Sequence, residues 1–181
     1  MYQAVDLLLD RANIHDTITK LVLYVDMRDW DRLALEVPAD HMILDYTLFY
    51  GGDPTEVTPK DLVAAWQPLI GGMTATQHVL SYVCRMATRY SDILISLPQP
   101  GHAEDVDKAS VIANVRVRLV KKGAQGGDVN TSGGRYEIDL IKRASHDGNP
   151  WRISRFKAVP IWYDGNIKIL TSNPEKIMMP T

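Results

Sequence analysis

Between Ala109 and Val120 the chain alternates: Val111, Ala113, Val115, Val117 and Leu119 are apolar, and Asn114, Arg116 and Arg118 stand between them. Successive side chains of a strand point to opposite faces, so this run predicts a long strand with one apolar and one polar side. Gly123 to Gly127 supplies a flexible hairpin connection to a second strand, Tyr136 to Arg143. Asp147-Gly148 then returns the chain through a third, Trp151 to Trp162. A sheet with one apolar face follows.

Upstream the period changes. Val5 to Leu9 predicts a short leading helix, and Ile14, Ile18, Leu21, Val22 and Val25 form one stripe on a longer helix after it. Asp29 is placed to cap a second helix running to about Val37, where Pro38 ends it. His41 to Tyr50 is rich in strand formers and closes on Gly51-Gly52-Asp53-Pro54, which predicts a strand. Thr58-Pro59-Lys60-Asp61 is a helix start with a cap, a proline and an acid in register; Pro68 and Gly71-Gly72 are expected to stop that helix. Val79 to Ala87 and Ile93 to Leu97 predict further strands, the second at a sheet edge. Helices first and then an antiparallel meander make an α+β fold. We expect one domain over 1–181, with the apolar tail 167–181 as a possible lid.

With 181 residues and 45% apolar composition the chain can bury one substantial core. Its formal charge of −2, from 20 basic and 22 acidic residues mixed along the sequence, offers no footprint for nucleic acid or an anionic membrane. Cys84 is the single cysteine, so no intrachain disulfide or cysteine cluster can form. No window reaches the roughly 20 apolar residues of a bilayer span, and the first residues do not read as an export signal. A reducing, cytoplasmic setting is expected, and the Asn130-Thr131-Ser132 glycosylation pattern carries no weight there.

The chain lacks the glycine-rich nucleotide signatures, HExxH, GxSxG and EF-hand spacing, which removes the nucleotide, zinc-protease and serine-hydrolase readings. Of the histidines, His15, His41, His102 and His146 lie in polar or turn surroundings. His78, between Thr76-Gln77 and Val79-Leu80, is expected at a helix-to-sheet junction that aims its ring inward. Imidazole suits proton transfer near neutrality. Asp26, at the rim of the helix stripe, is an acid in need of a partner or a task, and it could hold the His78 ring in one tautomer. The bland alternative is a core histidine and a helix-end cap. Tyr24, Tyr46, Phe49, Tyr50 and Trp66 could line a pocket or simply fill an aromatic core.

Asp26-Met27-Arg28-Asp29-Trp30-Asp31-Arg32-Leu33, Asp45-Tyr46 with Phe49, Thr76-Gln77-His78 and Trp151-Arg152-Ile153 together resemble the scytalone dehydratases. More broadly they are similar to the SnoaL-like polyketide cyclases and the nuclear transport factor 2-like superfamily, over about Ala12 to Tyr163. The resemblance implies a cone-shaped α+β barrel, its helices closing a strongly curved antiparallel sheet around a pocket. It implies His78 as general base and acid, Asp26 as its orienting acid, Tyr46 on the water that polarises a carbonyl, and Phe49 in the pocket wall. It implies no metal and no organic cofactor, and a homodimer or homotrimer formed through the outer sheet face.

The departures from that family also carry information. Val25 stands where the dehydratases have a tyrosine, Leu119 stands near a second histidine, and Arg135 and Glu137 fall near a serine and an asparagine. These changes point away from scytalone as substrate and place Tyr24, Leu119 and Glu137 among the candidate substrate contacts. The expected function is a cofactor-independent dehydratase, isomerase or cyclase acting on a carbonyl-bearing, polyketide-like small molecule. A non-catalytic binding or interaction module is the alternative. Epoxide hydrolysis is a further one, requiring a second acid such as Glu137 or Asp139 to point inward.

Overall fold

The computed structural model describes residues 1–80, 93–103, 106–144 and 148–170. Its first element is one uninterrupted helix, α1 (Ala4–Met27), not a short helix followed by a long one. No glycine or proline separates the two predicted segments, and the polar turn between them lies on the helix surface without breaking it. The predicted stripe, Ile14, Ile18, Leu21, Val22 and Val25, is buried, and it faces a core that includes Trp151, Ile153 and Phe156. At the other end of α1, Asp10 sinks to 3% exposure and gathers three donors: the Trp151 indole N–H at 2.9 Å, the Tyr2 hydroxyl at 3.1 Å and the Lys142 ammonium at 3.0 Å.

Helix α2 (Trp30–Glu36) begins as expected, with the Asp29 carboxylate accepting the Arg32 backbone N–H. Glu36 joins it to α1: its carboxylate lies 2.7 Å from Lys20, 3.2 Å from Arg32 Nε and accepts the Tyr24 hydroxyl at 3.1 Å. The Lys20 hydrogen bond, helped by Arg32 and Tyr24 and only partly opposed by burial, draws the Glu36 pKa down to about 2. A carboxyl depressed on folding stabilises the protein above its ordinary pKa, and that contribution fades as pH falls toward the folded value. We expect acidification from pH ~6 to ~3 to remove about 1 kcal/mol through this site, after allowance for solvent screening. In Glu36→Gln the urea-unfolding free energy should depend less on pH over that interval, and parallel wild-type and variant curves would remove the assignment.

Strand β1 (Pro38–Asp45) stops earlier than predicted, and Thr47–Tyr50 is a helical turn, α3, in place of the end of a strand. The cause is Asp45, whose buried carboxylate accepts the Thr47 backbone N–H and, at 2.7 Å, its hydroxyl. This local bond pattern outcompetes the strand preference of Tyr46, Phe49 and Tyr50. After β2 (Thr55–Val57), helix α4 (Pro59–Gly71) carries the predicted capping box between Thr58 and Asp61, and it runs through Pro68 before ending at the glycines.

The remaining strands are β3 (Ala75–Val79), β4 (Ile93–Ser96), β5 (Lys108–Val120), β6 (Val129–Lys142) and β7 (Trp151–Gly165). Their order is β2-β1-β7-β6-β5-β3, with β4 beside β5. The fold is α+β with a curved sheet, as expected, but the sheet is open and not a closed barrel. Nor is it wholly antiparallel, because β1 runs parallel to β7. The β5 alternation holds, with Val111, Ala113, Val115 and Leu119 buried and Asn114, Arg116 and Arg118 exposed. A bulge at Gly133 and Gly134 bends β6 against β7, where a Cβ on Gly134 would run into the Val159 carbonyl. Asn130, the first residue of the glycosylation pattern, is fully buried in β6. No helix among the described residues is long and apolar enough to cross a membrane.

Residue 81 onward of the predicted Val79 to Ala87 strand, Cys84, His146 and the lid beyond residue 170 lie outside the described residues. The start of the tail is described: a 3-10 turn, Ile167–Ile169, packs Ile169 against Met73 and Leu119.

Candidate active site

The site is made where the end of α1 meets β3. Arg28 takes a left-handed backbone (φ 58°, ψ 32°), so that its N–H and that of Asp29 return to the Val25 and Tyr24 carbonyls. Its guanidinium donates to the Met73 carbonyl at 2.6 Å and ties the helix end to the segment leading into β3. Asp26 then faces His78, which sits within β3 and not at a helix-to-sheet junction.

One residue, His78, supplies two partners of the carboxylate. Asp26 Oδ2 accepts the His78 backbone N–H at 2.7 Å, and Oδ1 lies 2.7 Å from His78 Nδ1. The side chains are 15% and 12% exposed, respectively. Burial opposes the charge on Asp26, but the ring contact, the charge interaction and the backbone N–H of His78 outweigh it and hold this carboxyl below the usual carboxylate range. An ionised carboxylate only accepts hydrogen bonds, so Nδ1 carries a ring proton directed at Asp26.

His78 lines an apolar cavity of about 270 Å³, walled by Tyr46, Phe49, Tyr50, Trp66, Val115, Val117, Leu119 and Tyr136, among others. A recess of about 70 Å³ adjoins it, shares His78, Tyr46, Trp66 and Tyr136, and is backed by Val22 and Val25 of α1. These volumes reach the lower end of the range for small-molecule pockets. Burial pushes the phenols of Tyr46 and Tyr136 well up, and the nearby Asp26 charge adds to the effect at Tyr136, so both remain neutral donors near pH 7.

The structure thus brings together His78, Asp26, Tyr46, Phe49, Tyr50, Trp66 and Leu119. It does not bring in Tyr24 or Glu137. Tyr24 lies about 200° around the helix from Asp26. It turns toward α2, donates to Glu36 and is covered by the Arg32 guanidinium at 4.7 Å. Glu137 alternates to the outer sheet face, where Arg135 Nε lies at 2.9 Å and Lys157 at 3.3 Å; Asp139 is also outward, near Arg155. Arg135 borders the cavity while engaged with Glu137. His15 and His41 are exposed, as is His102. Sequence reasoning overlooked two contributors, Tyr136 and the Arg28 staple. Tyr136 could have been found from its inward position in the alternation of β6, while nothing local to Arg28 reveals its partner. Among the described residues no three His, Cys, Asp or Glu side chains gather as a metal site.

The SnoaL-like domain profile matches residues 6–157. No curated protein matches in sequence. Among solved structures, the Kfla4162 protein from Kribbella flavida is 21% identical with a TM-score of 0.74, the match covering 91% of this chain and 99% of that one. A provisionally assigned scytalone dehydratase from Novosphingobium aromaticivorans is 13% identical (TM-score 0.64; 88% and 89% covered). The hexachlorocyclohexane dehydrochlorinase LinA-type3 from Novosphingobium barchaimii is 16% identical (TM-score 0.64; 90% and 93% covered). At these identities the structural likeness concerns the fold.

Proposed function

The chain belongs to the SnoaL-like domain family, and from that premise we propose that it is a lyase or isomerase that removes a proton next to a carbonyl by His-Asp acid-base chemistry. The observation that carries this reading is the 2.7 Å contact between Asp26 and His78 Nδ1 in the wall of an apolar cavity. His78 Nε2 takes the α-proton, the C–H electron pair passes into the enolate, and Asp26 stabilises the imidazolium. Tyr46, directly or through water, supports the enolate oxygen. If a β-hydroxyl is present, the enolate expels it as the imidazolium returns its proton, and water leaves. Without such a group the same enolate is reprotonated elsewhere or attacks within the molecule, giving isomerisation or cyclisation.

Two of the structural relatives carry names of elimination enzymes, a dehydratase and a dehydrochlorinase, which supports the same class of chemistry. The open cavity favours catalysis over an interaction module, and a carbonyl-bearing, polyketide-like molecule is the substrate class we favour. Epoxide hydrolysis receives no support, since Glu137 and Asp139 face outward. The test uses a small aryl ketone, indanone, in D₂O. We expect the protein to accelerate exchange of the α-protons, followed by proton NMR, and to convert an aryl β-hydroxyketone to its enone. Exchange at the buffer rate, with no turnover of the hydroxyketone, would sink the reading.

A further inference from the structure

We propose that the outward face of α1 is a dimer seam, on which the same face of a second copy of this chain docks antiparallel. The helix carries two apolar stripes. One is the buried set that faces the core; the other is made by Val5, Leu9, Ala12, Leu23 and Met27, all exposed. At 100° per residue the centre of this second stripe lies about 180° around the helix from that of Ile14, Ile18, Leu21 and Val25. Val5 is 68% exposed, Leu9 59%, Leu23 48% and Met27 66%. An apolar row of this length on the surface marks a place where something packs.

Its spacing says what fits. Val5, Leu9, Ala12, Asp16, Thr19 and Leu23 follow one another at steps of 4, 3, 4, 3 and 4. Alternating steps of three and four keep one row of side chains turned toward a neighbouring helix, as in paired coils. The steps are the same in reverse. An antiparallel copy, related by a two-fold axis at the level of residue 14, therefore sets Val5 against Leu23 of the second copy, Leu9 against its Thr19 and Ala12 against its Asp16. Beyond these, Met27 meets Met1, which is 80% exposed. Both ends of the seam are apolar, and its middle is small and polar.

A second copy shares this mirror spacing by construction, and the two-fold arrangement closes on itself. Each helix N-terminus also lies beside the C-terminus of the other, which opposes their dipoles favourably. A lipid surface suits the stripe less, because Asp6 beside it and Asp16 within it are repelled by anionic headgroups. The seam buries on the order of 600 Å² per copy, or about 1,200 Å² in all, the low end for a specific interface. Since α1 packs on the core side of the sheet, the seam is separate from the outer sheet face.

The experiment is sedimentation equilibrium of the full chain over about 5–500 μM, where wild type is expected to dimerise with a Kd of about 10 μM. Val5→Glu places an acid in the first helical turn and Leu23→Lys a base toward the last, both favourable to the helix dipole, so each variant folds; circular dichroism of dilute protein checks this. Each variant alone should weaken the dimer about 10-fold or more. Mixed in equal amounts, the two should return association to within about threefold of wild type, because one end of the seam then pairs Glu with Lys and the other Val with Leu. Asp16→Leu, which takes a carboxylate out of the seam, should tighten the dimer about 10-fold or more. Wild type that stays monomeric throughout overturns the proposal, as does an oligomer that Val5→Glu leaves unchanged, the result expected if copies met through the outer sheet face. A mixture no stronger than its separate variants, or an Asp16→Leu protein no tighter than wild type, overturns it equally.

Discussion

Replacing His78 by alanine is expected to lower indanone exchange on the order of 10²-fold or more, with far-UV circular dichroism and thermal unfolding close to those of wild type. His78 contributes its backbone N–H to Asp26 as well as its ring, and that backbone bond survives the substitution, so the junction between α1 and β3 persists. Asp26→Asn should lose activity to a similar degree by a different route. The amide oxygen can keep the backbone N–H while its NH₂ group faces Nδ1, which moves the ring proton to Nε2 and leaves no lone pair for the substrate. Because the two residues act as a unit, the double variant should be scarcely slower than either single one. A folded His78→Ala protein with normal exchange, or a double variant slowed by the product of the two single effects, would dissolve the pair.

The largest loss of stability is expected at the other end of α1. In Asp10→Ala the Trp151 indole, fully buried, loses its acceptor, and the Lys142 ammonium and Tyr2 hydroxyl lose theirs. Losing the acceptor strands the buried indole and the Tyr2 hydroxyl at about 1–3 kcal/mol each, while Lys142, 36% exposed, can turn to solvent. Asp10→Asn keeps an oxygen for the indole and should cost less. Urea unfolding at neutral pH measures both. A cost below about 1 kcal/mol for Asp10→Ala would mean that water takes over the three donors.

Much of this architecture was legible in residue order. The β5 alternation, the α1 stripe and the caps at Asp29 and Thr58 are short-range patterns, and short-range patterns survive folding. The family resemblance raised Asp26 and His78 from an acid at a helix edge and a histidine near a strand to a pair, and they lie in contact. What escaped was decided at a distance or by competition. The strand formers after Asp45 yielded to a carboxylate that bonds two residues ahead. The parallel pairing of β1 with β7 depends on a strand more than a hundred residues away, which no local period encodes. Tyr24 and Tyr136 are both tyrosines beside promising neighbours; one bonds across to a second helix and the other lines the recess beside His78, a difference that belongs to tertiary packing.

The continuity of α1 couples the stability of one end to the chemistry at the other. Asp10 and Asp26 stand sixteen positions apart on one unbroken helix, about 24 Å along its axis. A rod fixed at one end by the Asp10 cluster and at the other by the Arg28 staple transmits tilt: a small angular slip where Asp10 is anchored becomes a displacement of the acid beside His78. Warming should therefore blunt proton transfer before the sheet melts. The temperature at which activity declines would then be governed by the anchoring of the first helical turns, well away from the chemistry.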